Sequence, residues 1–190
     1  MNMKELQKIY AYDPIKEKFI IDVQLEDYRD AYSDWDFSPF INRDLDEDLI
    51  EFLLECSMEI PLKYALMIDF HILHQAKSQK REERTLTGMK NFFLYQLRKM
   101  KNQKVRVFKD IVSFLAIGSV LLILGSSMKN FFKESLLLYL MSEGLFIGGW
   151  VMLWEMFSAW FFDMKKLNDK IRHYKRLLNA EIRYSYSQNN

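Results

Sequence analysis

Cysteine is nearly absent from this 190-residue chain. The single Cys56 excludes an internal disulfide and any multi-cysteine metal site. It falls at apolar helical spacing, which fits a small buried thiol. Prolines number three and glycines six. Five of those glycines lie in or beside two apolar stretches, so the polar part of the chain holds no Gly-rich loop that could cradle a phosphate. The opening MNMKELQKIYAYD has no apolar core and is not expected to act as a signal peptide. No Ser/His/Asp motif and no activated cysteine is visible, and no enzymatic activity or cofactor is expected.

The net charge of +1 conceals an asymmetry. Residues 1–60 carry sixteen acids against six bases, whereas residues 75–110 carry eleven bases against three acids. Charge disappears from Ile111 to Met128, where eighteen residues read IVSFLAIGSVLLILGSSM. At 1.5 Å per residue this helix would span about 27 Å, close to the bilayer core of roughly 30 Å. A second apolar stretch, Ser135–Phe162, follows a short turn with Lys129, Lys133 and Glu134. Together they predict a transmembrane hairpin with spans at about 111–128 and 135–156.

Arg98, Lys99, Lys101, Lys104, Arg106 and Lys109 precede the first span. Lys165, Lys166, Lys170, Arg172, Lys175 and Arg176 follow the second. This bias predicts an inner-membrane protein with both termini in the cytoplasm. Trp150, Trp154, Phe157, Trp160, Phe161 and Phe162 suit an interfacial belt at the cytoplasmic end of the second span.

Glu143 is an acid inside an apolar span, where an ionisable group marks a functional-site hypothesis. Counting inward from Ser135 puts it near the midplane, and Glu155 at the cytoplasmic interface. No base lies within either span, so Glu143 either lines an ion path with Ser142 and Glu155, or is protonated and bonded to Ser142, Tyr139 or a neighbouring helix. Gly144 and Gly148, extended by Gly149, form a small-xxx-small pattern, and Gly118 and Gly125 add small residues to the first span. They serve contact within the hairpin or between copies. One hairpin cannot enclose a pore, so conduction implies a homo-oligomer of at least three or four copies.

The polar part predicts an α+β domain over residues 1–106. Phe19–Leu25 alternates as a strand. Asp44 reads as an N-cap with Glu47 as its capping-box partner, opening a helix through Leu49, Leu53 and Cys56 that stops at Pro61. Tyr64–Ile72 alternates as a second strand. From Glu82 a long helix carries Leu86, Met89, Phe93, Leu97 and Met100 and runs on into the hairpin of residues 107–162. Two strands alone make a marginal sheet, to be completed by another subunit or by the N-terminal segment. Residues 163–190 form a C-terminal helix with an apolar stripe of Leu167, Ile171, Tyr174, Leu178 and Ile182, then a disordered tail, SYSQNN. That stripe suits packing on the soluble domain or a seam between subunits.

Several clusters invite weaker readings. Asp44, Asp46, Asp48 and Glu55 share part of a calcium-loop spacing, but Leu49 replaces the required glycine, and a helix N-terminus accounts for the acids. His71 and His74 lack a third ligand, and no metal site is expected. Lys77, Lys80, Arg81 and Arg84 are candidate contacts for a nucleotide or other phosphate-bearing ligand. The juxtamembrane bases answer to anionic lipid rather than to nucleic acid.

The segments DFSPFINRDLDEDLIEFL (Asp36–Leu53) and EGLFIGGWVMLWEMF (Glu143–Phe157) resemble an uncharacterised family of small bacterial two-span membrane proteins. Glu143, Gly144, Gly148, Gly149 and Trp150 match its EGL-IGGW core. The proline-containing aromatic segment that follows in that family has no proline here. The resemblance implies a two-span fold and no particular activity. In architecture alone, the chain also resembles two-span effectors of antiviral defence, in which a cytoplasmic sensor controls a membrane-disrupting hairpin. The sequence therefore points to a gated, cation-conducting pore, with a non-conducting membrane anchor for an interaction domain as the alternative.

Overall fold

The computed structural model describes residues 2–73, 77–131 and 135–186. The chain divides into two compact units, Met1–Arg98 with Lys170–Asn190, and Lys99–Asp169.

The first unit is α+β. A short helix α1 (Met3–Leu6) leads into strands β1 (Ala11–Asp13) and β2 (Lys18–Leu25). The turn between the strands is fixed by Asp13, whose carboxylate accepts the amides of Ile15 and Lys16. A 3-10 turn (Tyr28–Ala31), helix α2 (Glu47–Glu59) and strand β3 (Ala65–Ile72) follow. The last strand, β4 (Glu181–Tyr186), arrives only after every helix.

The sheet order is β1-β2-β3-β4, with β1 antiparallel to β2 and the other pairs parallel. Alternation explains the burial. Phe19, Ile21, Val23 and Leu25 on β2 and Leu66, Ile68, Phe70 and Ile72 on β3 share one buried face. The sheet thus has two strands beyond the pair legible by alternation. β1 comes from the N-terminal segment, as one of the two expectations held. β4 comes from the segment expected to be a tail: Ser185 and Tyr186 are its last residues, and residues 187–190 lie outside the description.

Two further corrections concern helix ends. The N-cap of α2 is Asp46, whose side chain accepts from the Leu49 amide at 3.1 Å, so Glu47 is the first helical residue rather than a capping partner of Asp44. Leu45 is buried and bridges to Tyr32, which holds Asp44 and Leu45 extended and delays the helix. Ile182 belongs to β4 and not to a helical stripe.

Helix α3 (Gln79–Phe131) is one element of 53 residues that begins in the first unit and continues through the second. Met89, Phe93 and Leu97, expected on its apolar face, are buried. Helix α4 (Leu136–Ser158) follows, then a π-helical segment (Ala159–Asp163) and helix α5 (Met164–Leu178). The segment that lacks the proline thus continues as helix through a π-bulge, a wider turn that re-aims side chains without breaking the element. The long excursion α3-α4-α5 is therefore the connection between the parallel strands β3 and β4.

Among the described residues, two helices are long and apolar enough to cross a membrane. Only 17% and 11% of their most apolar windows are buried. A core helix of a water-soluble domain would be covered on most of that face.

Candidate functional site

In the second unit α3 and α4 run antiparallel, and glycines set their spacing. A Cβ on Gly118 would lie 3.0 Å from the Gly149 carbonyl oxygen, and one on Gly125 would lie 2.8 Å from the Ser142 carbonyl oxygen and the Phe146 amide. A Cβ on Gly149 would come within 2.9 Å of the Gly118 carbonyl. These approaches exclude a side chain at Gly125 and Gly149 unless backbone moves, and leave Gly118 room for one only if its neighbours give by a few tenths of an ångström. Toward the other end of the pair, Ile111, Met156 and Ala159 form a small buried cluster. Gly144 has nothing within 4 Å of its Cβ position, and Gly148 has only Leu121 at 3.8 Å. The five glycines therefore separate into three that bring α3 and α4 together, Gly148 in ordinary contact with Leu121 of α3, and Gly144, which is open.

The register moves Glu143. Gly125 stands opposite Ser142, so Glu143 lies about one helical turn, roughly 5 Å, inside Met128 and not midway along the apolar span. Counting inward from Ser135 overestimates its depth because α4 begins beyond the level where the first apolar stretch ends. Glu143 also has a base within reach. Lys129 Nζ lies 2.5 Å from its Oε1 and 5.3 Å from the Phe146 ring centre. This corrects the expectation that the hairpin supplies no partner. Each side chain of the pair remains about one third exposed (35% and 32%). Ser142 is fully buried against α3, with its hydroxyl donating to the Tyr139 carbonyl at 2.7 Å. Its side chain is committed within the hairpin. Glu155 is exposed beside Trp154, Phe157 and Phe161, far along α4 from Glu143.

The first unit holds two polar groupings. On the other face of the sheet, Asp22, Asp69 and Arg183 share one row and Gln24, His71 and Ser185 the next. Asp69 is 1% exposed. Its carboxylate accepts from Arg183 Nη2 and Nε at 2.5 and 2.9 Å and from the Ser185 hydroxyl at 2.9 Å. Burial pushes the Asp69 carboxyl up, but these bonds outweigh it and hold the group below its ordinary value. His71 Nε2 lies 3.1 Å from Asp22 Oδ1 and 3.8 Å from Asp69 Oδ2, close enough for the three residues to share an ion. The Arg183 guanidinium already occupies Asp69 as its cation, so an ion-pair network is the better account of the cluster. His74 lies outside the described residues.

The second grouping is a pocket of about 410 Å³ at the start of α3. Arg81 and Arg84 line it, and Arg29 joins them from the 3-10 turn. Lys77 and Lys80 are exposed and are not among its lining residues. Arg29 sits within an acidic stretch of sequence, which hides it from any reading by charge runs.

Helix α5 is fastened to the first unit by Arg176. Its guanidinium donates to the carbonyls of Ser57, Ile60, Pro61 and Tyr64 at 2.6–3.2 Å, and burial lowers its pKa to about 10. Ser57 and Ile60 sit at the C-terminal end of α2, where carbonyls lack helical partners. Sequence alone placed Arg176 among the flanking charges. The buried side chains of α5 include Ile171, Tyr174 and Leu177, and Tyr174 meets Phe93 edge-on at 6.0 Å. Of the expected stripe, Ile171 and Tyr174 thus pack within the α+β unit, with Leu177 buried in place of Leu178, while Leu167 belongs to the second unit. No family model, curated protein or solved structure matches the chain.

Proposed function

We propose that the chain is a two-span protein of the bacterial inner membrane whose hairpins assemble into a gated, cation-conducting path. The α+β unit lies on the cytoplasmic side and controls it. The apolar faces of α3 and α4 support membrane insertion: Ile123 is 65% exposed, Leu136 74% and Trp154 77%. Bases flank the two spans where they face the α+β unit along the chain, which supports cytoplasmic termini. Resemblance to the bacterial two-span family through Glu143, Gly144, Gly148, Gly149 and Trp150 supports the same placement.

The observation that carries conduction is the position of Glu143 beside the open Gly144. Gly144 meets nothing inside the hairpin, so a second copy can approach α4 closely there. Repeated around an axis of three or more copies, that contact gathers one partly exposed Glu143 per copy near the turn-side mouth. A ring of carboxylates favours cations. Ser142, buried within the hairpin, does not line the path, and Glu155 stands at its cytoplasmic end. The continuous helix α3 provides a rigid element through which the α+β unit can act. The layout shares its order of parts with membrane-disrupting effectors of antiviral defence, an analogy of architecture only. No catalytic role is assigned.

The pairing of Glu143 with Lys129 favours a second reading, a non-conducting anchor that presents the α+β unit at the membrane. Overexpression in cells carrying a potential-sensitive dye separates the two. Conduction predicts depolarisation. An unchanged potential, with the protein recovered in the membrane fraction, would leave the anchor.

A further inference from the structure

We infer that the pocket beside the start of α3 binds a small phosphate-bearing ligand of nucleotide size. The parallel strands β2, β3 and β4 end at Leu25, Ile72 and Tyr186. In open sheets with parallel strands, ligands settle outside the carboxyl ends, where loops and helix N-termini converge. The segment leaving β2 brings Asp27, Tyr28 and Arg29 to this pocket, and the first two turns of α3 bring Arg81 and Arg84. Its volume of about 410 Å³ falls in the range of small-molecule sites, roughly 300–1,000 Å³.

Charge selects the ligand class. Three arginines line the cavity against one aspartate, an excess of two positive charges. Asp27 is paired with Arg29 at 3.3 Å. A guanidinium offers paired N–H donors that match two oxygens of one phosphate, which makes arginine the suited residue for such groups. Arg29 and Arg81 also have contacts within the protein, and with Arg84 beside them they make a wall that suits a ligand with several anionic oxygens. The N-terminal turns of α3 add the positive end of a helix dipole. Phe40, 37% exposed, provides a ring for the uncharged part of the ligand.

The pocket is also tied to the rest of its unit. The Tyr186 hydroxyl donates to the Glu82 carboxylate and meets the hydroxyl of Tyr28, a pocket residue, at 2.6 Å, joining the end of β4, the 3-10 turn and α3. A ligand seated there touches the elements that begin the long helix. The site stands on the α+β unit alone, so it is tested apart from any conduction.

Calorimetric titration of the full-length protein in detergent, with ATP and with inorganic pyrophosphate, provides the test. Arg29 and Arg84 are exposed, so Arg29→Glu and Arg84→Glu leave the core intact, which the melting temperature checks. Lys77→Glu alters a nearby charge outside the pocket. Both probes should bind, more weakly at high salt, and either arginine variant should lose at least about tenfold in affinity. Lys77→Glu should change binding less than about twofold. Absence of binding to folded wild-type protein by either probe would overturn the inference. Equal losses from Lys77→Glu and Arg84→Glu would also overturn it, because diffuse surface charge would then explain the binding.

Discussion

Lys129 Nζ lies 2.5 Å from Glu143 Oε1, so the acid of the second apolar helix is held by a base near the end of the first. In an apolar surrounding, removal of one partner exposes the other as an uncompensated charge. If Glu143 faces an ion path, Lys129→Met frees its carboxylate toward that path. Cation-over-anion selectivity, read from reversal potentials, should then rise. An anchor would instead show only a lower melting temperature.

The hairpin glycines should divide by position. Gly149→Leu places a side chain where even a Cβ meets the Gly118 carbonyl at 2.9 Å. Overpacking of this kind costs about 1–3 kcal/mol. The melting temperature in detergent should fall. Gly144→Leu meets nothing within 4 Å inside the hairpin, so its fold should hold. Its oligomer, followed by light scattering, should weaken if copies meet on that face.

Arg176 should behave as a structural keystone of the α+β unit. Arg176→Met keeps much of the aliphatic stem but strands four carbonyls, two of them at the end of α2. Unsatisfied buried acceptors of this kind predict a loss of about 2–4 kcal/mol in a denaturant titration. A loss near zero would mean that water replaces the guanidinium at no cost.

Acid should weaken the sheet through Asp69. Its native pKa lies below the ordinary 3.8, because Arg183 and Ser185 outweigh burial. A carboxyl with a depressed native pKa contributes stability above its unfolded value, and that contribution is lost as pH falls through the native value. The melting temperature should therefore drop as pH falls below about 4. Asp69→Asn should make that drop shallower. Some drop should remain, since Lys16 and Lys18 hold Glu181 down to about 2, and hydrogen bonds at Ser38 and Asp44 hold Asp36 there as well.

The parts legible from sequence are those whose signal is local. Alternation marked β2 and β3, and helical spacing marked Met89, Phe93 and Leu97. β4 has its own alternation in Ile182, Tyr184 and Tyr186, but six residues before a polar end are easily read as the end of a helix. The missing signals depend on which segments meet. Asp46 rather than Asp44 caps α2 because Leu45 is held by Tyr32 from a distant loop. Nothing in sequence distinguishes Gly149, pressed on Leu122, from Gly144, open to its surroundings. Lys129 reads as a turn residue until the register of the hairpin sets it beside Glu143. Arg176 looks like its basic neighbours until α2 is seen to end beneath it. Arg81 and Arg84 were visible as a basic run, but their companion Arg29 is brought there by the end of β2.

Cation flux through liposomes holding the purified oligomer, wild type beside Glu143→Gln, tests the central claim most directly. The account predicts flux from the wild type and a changed rate and selectivity in Glu143→Gln, with the oligomer preserved. Identical flux and selectivity in the two would remove Glu143 from the path. No flux from a well-assembled wild-type oligomer, with or without ATP, would contradict conduction itself.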